Sequence, residues 1–224
     1  MNSAVRHSGP ASAPSLNPAA LQVGGFVPFT TVDYPGHLAA VVFCQGCAWR
    51  CRYCHNPHLQ PFEGGCWSWG NILSLLAERR NFLEAVVFSG GEPTAQACLP
   101  AAMRDVKGLG FKIGLHTAGI FPDLLAGVLP LVDWVGLDVK APFDERYDRI
   151  TQRKCSFEAP AESLRLLLAS GVNYELRTTV HPGLLTPADI AEIMSSLESL
   201  GASPTKIQPF RPEGCADSLL AASR

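Results

Sequence analysis

Hydrophobic residues in this chain fall into short β-branched runs, separated by longer stretches in which apolar positions recur every three or four residues. The runs at 39–43, 85–88, 112–116, 134–139, 174–180 and 205–208 have the length and composition of strands. Between the last two, Ile190, Ile193, Met194, Leu197 and Leu200 form one apolar helical face. Thr186 is placed to cap that helix, Pro187 suits its first turn and Gly201 its end. Residues 160–170, followed by Gly171, repeat the arrangement. Strands alternating with helices predict an α/β fold built from βα units around a parallel sheet. Six units are fewer than the eight that close a TIM barrel, so the pattern allows an open, partial barrel or a doubly wound sheet.

Polar residues gather where these strands end. The first runs into a cysteine-rich loop, the second into Ser89-Gly90-Gly91-Glu92-Pro93, and the third into His116-Thr117. The fourth ends in Asp138-Val139-Lys140, the fifth carries Glu175, Arg177, Thr179 and His181, and the sixth leads to Gln208, Phe210 and Arg211. In parallel α/β architectures such ends share one rim, where ligands bind.

Composition narrows the class. With 224 residues, 47% of them hydrophobic, the chain can bury a core of its own. We expect one domain over residues 21–212, preceded by a disordered arm (1–20) and followed by a tail (213–224). A net charge of −2 gives no basic field for nucleic acid. No run reaches the roughly 18 apolar residues that span a bilayer, and the first twenty residues lack a signal-peptide core. The expectation is a cytoplasmic protein with no membrane or nucleic-acid partner and with reduced cysteines.

Of the eight cysteines, Cys47, Cys51 and Cys54 are spaced C-x3-C-x2-C. Thiolates hold iron–sulfur clusters, and three of them leave one iron of a four-iron cluster open for chemistry. The spacing lacks the second pair of a zinc knuckle, although a structural zinc site completed by His55, in a non-catalytic binding protein, is the alternative. Cys44, Cys66, Cys98, Cys155 and Cys215 are scattered and read as small buried residues. Cys44, three positions before Cys47, could offer a competing thiolate.

The run from Gly25 to Gly36 (Gly-Phe-Val-Pro-Phe-Thr-Thr-Val-Asp-Tyr-Pro-Gly), followed by the segment from Cys47 to Pro57, resembles the radical S-adenosylmethionine (radical SAM) enzymes. Within them it is most similar to the activating enzymes of glycyl radical proteins, in particular the activator of anaerobic ribonucleotide reductase. The resemblance spans residues 21–212 and implies a partial (β/α)6 TIM-like barrel of the radical SAM type. It also implies a [4Fe-4S] cluster on Cys47, Cys51 and Cys54, with S-adenosylmethionine chelating the open iron. Tyr53 would lie near the adenine, with ordinary loop packing as the duller reading. Gly90, Gly91 and Glu92 match the GGE motif, in which the glycines allow close backbone approach and the carboxylate contacts the methionine amino group. His116 and Thr117 occupy a polar position near the cofactor, although His116 would equally suit a satisfied core histidine. Asp138 and Lys140 match an Asp-x-Lys pair that assists S-adenosylmethionine binding, against the alternative of a solvated ion pair. Arg177, on an otherwise apolar strand, calls for a carboxylate or ribose partner. Gln208, Phe210 and Arg211 resemble a closing Gln-x-Phe-Arg segment.

The chemistry implied is reductive cleavage of S-adenosylmethionine, with one electron supplied by a flavodoxin or ferredoxin. The 5′-deoxyadenosyl radical then takes hydrogen from a glycine Cα of a larger partner, here anaerobic ribonucleotide reductase. A six-unit barrel leaves a lateral opening for such a partner's loop. A radical SAM enzyme acting on a small molecule, in nucleoside or cofactor biosynthesis, is the alternative within the family.

Overall fold

One seven-stranded sheet organises residues 17–222, the part of the chain described by the computed structural model. Its strands are β1 (Val23–Thr30), β2 (Ala39–Cys44), β3 (Ala85–Gly90), β4 (Lys112–Thr117), β5 (Trp134–Asp138), β6 (Asn173–Val180) and β7 (Lys206–Pro209). They lie side by side in sequence order, with β2 to β7 parallel and β1 antiparallel to β2. The helices are α1 (Trp69–Glu78), α2 (Leu99–Gly108), α3 (Pro122–Val128), α4 (Arg146–Thr151), α5 (Glu158–Ser170), α6 (Pro187–Ser199) and α7 (Ser218–Ala222). A doubly wound sheet reverses its strand order in the middle, and this one does not. Six consecutive parallel strands curl into a partial (β/α)6 barrel, open between its edges β1 and β7.

All six expected strands are present to within one or two residues, and β1 is an addition. Two glycines and Pro28 make its sequence a poor strand by propensity, but an edge position tolerates both. Only the last residues of the expected N-terminal arm (1–20) are described. Residues 1–16 lie outside the described residues, whereas Pro18–Ala20 form a 3₁₀ turn capped by Asn17, and Leu21 is buried. The expected tail is ordered through α7, which buries Leu220. Residues 223–224 lie outside the described residues.

Both faces of the sheet are buried, as parallel strands require. Along β2, Ala40, Val42 and Cys44 face the helices, while Ala39 and Val41 face inward with Ala85, Val87, Trp134 and Tyr34. Tyr34, on the loop between β1 and β2, plugs the barrel interior, its ring 5.4 Å from that of Trp134. The apolar face of α6 is narrower than its sequence suggests. Ile193 and Leu197 are buried, whereas Met194 and Leu200 are exposed. Its start follows the expectation. Thr186 Oγ1 accepts from the Asp189 N–H, and Asp189 accepts from the Thr186 N–H at 2.7 Å, a reciprocal capping box. Arg146 pairs with Asp144, Asp189 and Glu192, fastening the segment after β5 to the start of α6.

Candidate active site

The cysteine loop is held against the ends of β2 and β3 by backbone hydrogen bonds. Gly46 N donates to Leu59 O and Cys47 N to Gln60 O, which closes the loop on itself. Gly91 N donates to Cys44 O and Glu92 N to Gly46 O, which ties the loop to the Gly-Gly-Glu turn. The approach is so close that a Cβ on Gly91 would lie 2.3 Å from Gly46 O, and one on Gly90 2.4 Å from Cys44 O. Only glycine fits at either position. On the other side, Arg50 N and Arg52 N donate to Thr151 O and Ile150 O at the end of α4.

The C-terminal segment clasps the same loop. Arg52 Nε lies 2.8 Å from Asp217 Oδ2, the Cys215 thiol donates to Arg52 O, and His55 Nε2 sits 2.8 Å from Arg211 O. Phe210 lies between the rings of His55 and His181.

A cavity of about 270 Å³ opens at the rim where these elements meet. Its wall brings together Cys47, Cys51 and Cys54 with Tyr53, Gly90, Gly91, His116, Thr117, Asp138, Lys140 and Arg177. Gln208 lines it too, whereas Phe210 and Arg211 stand outside. Trp49 and Gln60 also form the wall and were missed, because no local pattern marks them.

Glu92 is the exception among the expected residues. It is fully buried behind the wall, accepting from the backbone N–H and hydroxyl of Thr94, from Thr117 Oγ1 at 2.7 Å and from the Ala118 N–H at 2.9 Å. Its carboxylate does not line the cavity wall. It braces the tips of β3 and β4. Burial raises its pKa, and the four donors oppose that rise.

The polar groups form a compact electrostatic set. Lys140 is buried, 3.4 Å from Asp138 Oδ2, with its ammonium 5.5 Å from the Tyr53 ring centroid, so the pair is not a solvated surface bridge. Burial opposes the lysine charge, and the neighbouring Tyr53, Asp138 and Cys51 outweigh it, holding Lys140 well above its ordinary value. Burial would raise Asp138, but the cations of Lys140 and Arg177 bring it below the usual range. Arg177 Nε lies 3.3 Å from Asp138 Oδ1 without hydrogen-bond geometry and has no other partner among the described residues. Its Nη2 donates to Gly136 O, where a Cβ would meet the guanidinium carbon at 2.8 Å. His116 Nε2 lies 2.8 Å from the Asp33 carbonyl and 3.3 Å from Arg177 Nη1. Burial, reinforced by Arg177, lowers its pKa and keeps the imidazole neutral.

Cys47, Cys51 and Cys54 all face the cavity, and a four-iron cluster takes one thiolate per iron, so the donor set fits such a cluster with one iron left open. Among the described residues, no three His, Cys, Asp or Glu side chains are gathered as ligands of a single metal ion. His55, the fourth ligand of the zinc alternative, already has Nε2 engaged. Burial pushes the thiols of Cys47 and Cys51 up to about 12 and about 11, so each gives up its proton only against that cost when it binds a metal. Cys44 does not line the cavity. It is fully buried among apolar side chains at the end of β2, and burial raises its thiol furthest of the three.

Residues 41–197 match the Radical SAM superfamily family model. A Methanocaldococcus jannaschii protein assigned by name to the glycyl-radical enzyme activating enzymes is 31% identical over 204 residues, covering 87% of this chain and 82% of its own. The pyruvate formate-lyase-activating enzyme of Clostridium pasteurianum is 33% identical over 163 residues, covering 68% of this chain. This chain spans 66% of that relative's length. The crystal structure of QueE from Escherichia coli superimposes with a TM-score of 0.54 over 90% of each chain at 16% identity, which supports the fold alone. No helix among the described residues is long and apolar enough to cross a membrane.

Proposed function

The chain belongs to the radical SAM superfamily, and from that premise we propose that it cleaves S-adenosylmethionine reductively and generates a glycyl radical on a partner enzyme. Members of the superfamily use a [4Fe-4S] cluster and S-adenosylmethionine, and three cysteines are available for the cluster here. The observation that carries the reading is that the three thiols and the polar ends of β3 to β6 line one cavity.

In this reading Cys47, Cys51 and Cys54 hold three irons. When bound, the cluster and S-adenosylmethionine supply the electron transfer and the 5′-deoxyadenosyl radical that removes a glycine hydrogen atom. The chain's own part is to bind, orient and shield. Gly90 and Gly91, with no side chains to intervene, expose their backbone to the amino-acid end of the cofactor. Lys140 and Arg177 against the single anion Asp138 leave one net positive charge, which suits a carboxylate. The unsatisfied Arg177 Nε is a donor awaiting a partner. Tyr53, rigid beneath Lys140, offers an aromatic edge to the adenine. Neutral His116 and Thr117 close the β4 side without adding charge.

The electron donor in this proposal is a flavodoxin or ferredoxin. The likeness of residues 25–36 and 47–57 favours anaerobic ribonucleotide reductase as the partner, while a matched relative is named for pyruvate formate-lyase.

The test is anaerobic reconstitution, reduction, addition of S-adenosylmethionine and measurement of 5′-deoxyadenosine, with Cys51→Ala alongside. We expect product that the variant lacks, and a glycyl radical signal by electron paramagnetic resonance when a partner is added. A verified four-iron protein that forms no 5′-deoxyadenosine overturns the proposal. Turnover of a nucleoside or cofactor precursor with no protein partner moves the assignment to a small-molecule enzyme.

A further inference from the structure

Asp138 and Lys140 sit where the backbone of β5 leaves the sheet. The β5–β6 register ends at Asp138 opposite Arg177, and Val139 N donates to Arg177 O at 2.8 Å. The next amide, that of Lys140, is off the ladder and donates instead to the Tyr147 hydroxyl at 3.1 Å. The same hydroxyl lies 3.4 Å from Asp138 O, to which it donates. One phenol oxygen thus spans the main chain of the two residues that line the cavity wall. Tyr147 itself is fully buried, with its ring centroid 6.0 Å from that of Phe143 and 6.0 Å from that of Trp49 in the cavity wall. It is carried by α4, whose Ile150 and Thr151 carbonyls accept from Arg52 N and Arg50 N. A helix of six residues therefore touches both the end of β5 and the cysteine loop.

We propose that Tyr147 is a positioning residue, whose hydroxyl sets where Asp138 and Lys140 stand relative to the cysteine loop and thereby the affinity for the carboxylate of S-adenosylmethionine. This rests on the radical SAM reading and adds to it a residue outside the cavity. Packing alone would be met by phenylalanine, which fills the same space. The hydroxyl is used on Asp138 O and Lys140 N, and it has no other partner among the described residues. Burial raises the phenol's pKa, so it stays protonated and can accept from one group while donating to the other. Without it the buried Lys140 N–H has no acceptor, a condition that folded chains avoid by local shifts of the backbone. Any such shift carries the lysine ammonium away from its place 3.4 Å from Asp138 and 5.5 Å from the centre of the Tyr53 ring.

Two substitutions separate position from packing. Tyr147→Phe removes the hydroxyl and keeps the ring, whereas Phe143→Leu loosens the packing beside that ring and keeps the hydroxyl. Each protein is reconstituted anaerobically, its iron content and circular dichroism are recorded, and its equilibrium dissociation constant for S-adenosylmethionine is measured. Amide hydrogen exchange at Lys140 is followed on the same samples without S-adenosylmethionine. For Tyr147→Phe we expect parent iron content, about tenfold weaker binding and about tenfold faster exchange at Lys140, the loss of one buried hydrogen bond. For Phe143→Leu we expect a lower thermal midpoint, with binding within about twofold of the parent. In a Lys140→Met background, Tyr147→Phe is expected to weaken binding further by less than about twofold, because the hydroxyl acts through the lysine. Additive losses in that background, unchanged binding by Tyr147→Phe, or an equal loss in Phe143→Leu would assign Tyr147 to the core and overturn the proposal. Loss of iron or of native circular dichroism in Tyr147→Phe overturns it as well. If the parent holds a four-iron cluster and binds no S-adenosylmethionine, the enzymatic reading fails, and exchange at Lys140 still decides whether the hydroxyl holds the end of β5.

Discussion

Thr117 Oγ1 donates a 2.7 Å hydrogen bond to Glu92 Oε1, and through this bond the tips of β3 and β4 are joined behind the wall of the cavity. Thr94 and the Ala118 N–H complete the set, so a fully buried carboxylate is satisfied by four donors. Removing the acceptor strands the donors. Glu92→Ala is therefore expected to lose about 3 kcal/mol or more of unfolding free energy in urea titrations, since each orphaned buried group costs about 1–3 kcal/mol. Glu92→Gln, which keeps one good acceptor and adds a conflicting amide donor, is expected to fall between.

The cysteines divide into two classes by position. Alanine at Cys47, Cys51 or Cys54 is expected to reduce bound iron and sulfide sharply while changing stability of the metal-free protein little. Cys44→Ala is expected to do the reverse, costing about 1–2 kcal/mol through a small core cavity and leaving iron content at the parent level. Metal analysis beside thermal unfolding separates the two outcomes.

The Arg52–Asp217 pair, only partly exposed, holds the C-terminal segment over the cysteine loop. Asp217→Ala is expected to change global stability by no more than about 1 kcal/mol, as for other pairs near the surface. It is expected to speed the loss of iron from the reconstituted protein to a chelator. The double variant Arg52→Asp, Asp217→Arg should slow that loss again. Equal release rates for parent and Asp217→Ala would show that the clasp does not bear on the cluster loop.

Asp189 is held down to about 2, first by the Thr186 N–H, then by the Thr186 hydroxyl and Arg146. A carboxyl depressed in the folded state stabilises it above its unfolded value, near 4, and loses that contribution as pH falls through the folded value. Asp189→Ala is expected to cost about 1 kcal/mol at neutral pH, as the loss of a cap does. The gap between parent and variant should hold down to about pH 4 and close toward pH 2. A gap independent of pH across that range would place the effect in packing rather than charge.

Lys140 is the buried cation over Tyr53, and its removal leaves Asp138 paired with Arg177 alone. Lys140→Met is expected to raise the KM for S-adenosylmethionine by about tenfold or more, the loss of one charged contact. Iron content should stay unchanged, because no thiol is altered.

What the chain determined by itself was local. Strands β2 to β7 follow from β-branched runs whose neighbours in sequence are their evidence, and the α6 cap follows from Thr186, Pro187 and Asp189 within one turn. The cysteine triad is visible because its three members lie within eight residues. The tertiary structure decided what depends on distant partners. β1 exists because β2 offers it a ladder, despite two glycines and a proline. Strand order made the sheet an open barrel, which spacing along the chain left undetermined. The donors that surround Glu92 come from Thr94 and from Thr117–Ala118, and only the fold brings the latter to it. Residues 211–217 reach the cysteine loop across more than 150 positions of chain. Contacts of that kind depend on the path of the backbone in space, which no local pattern of side chains encodes.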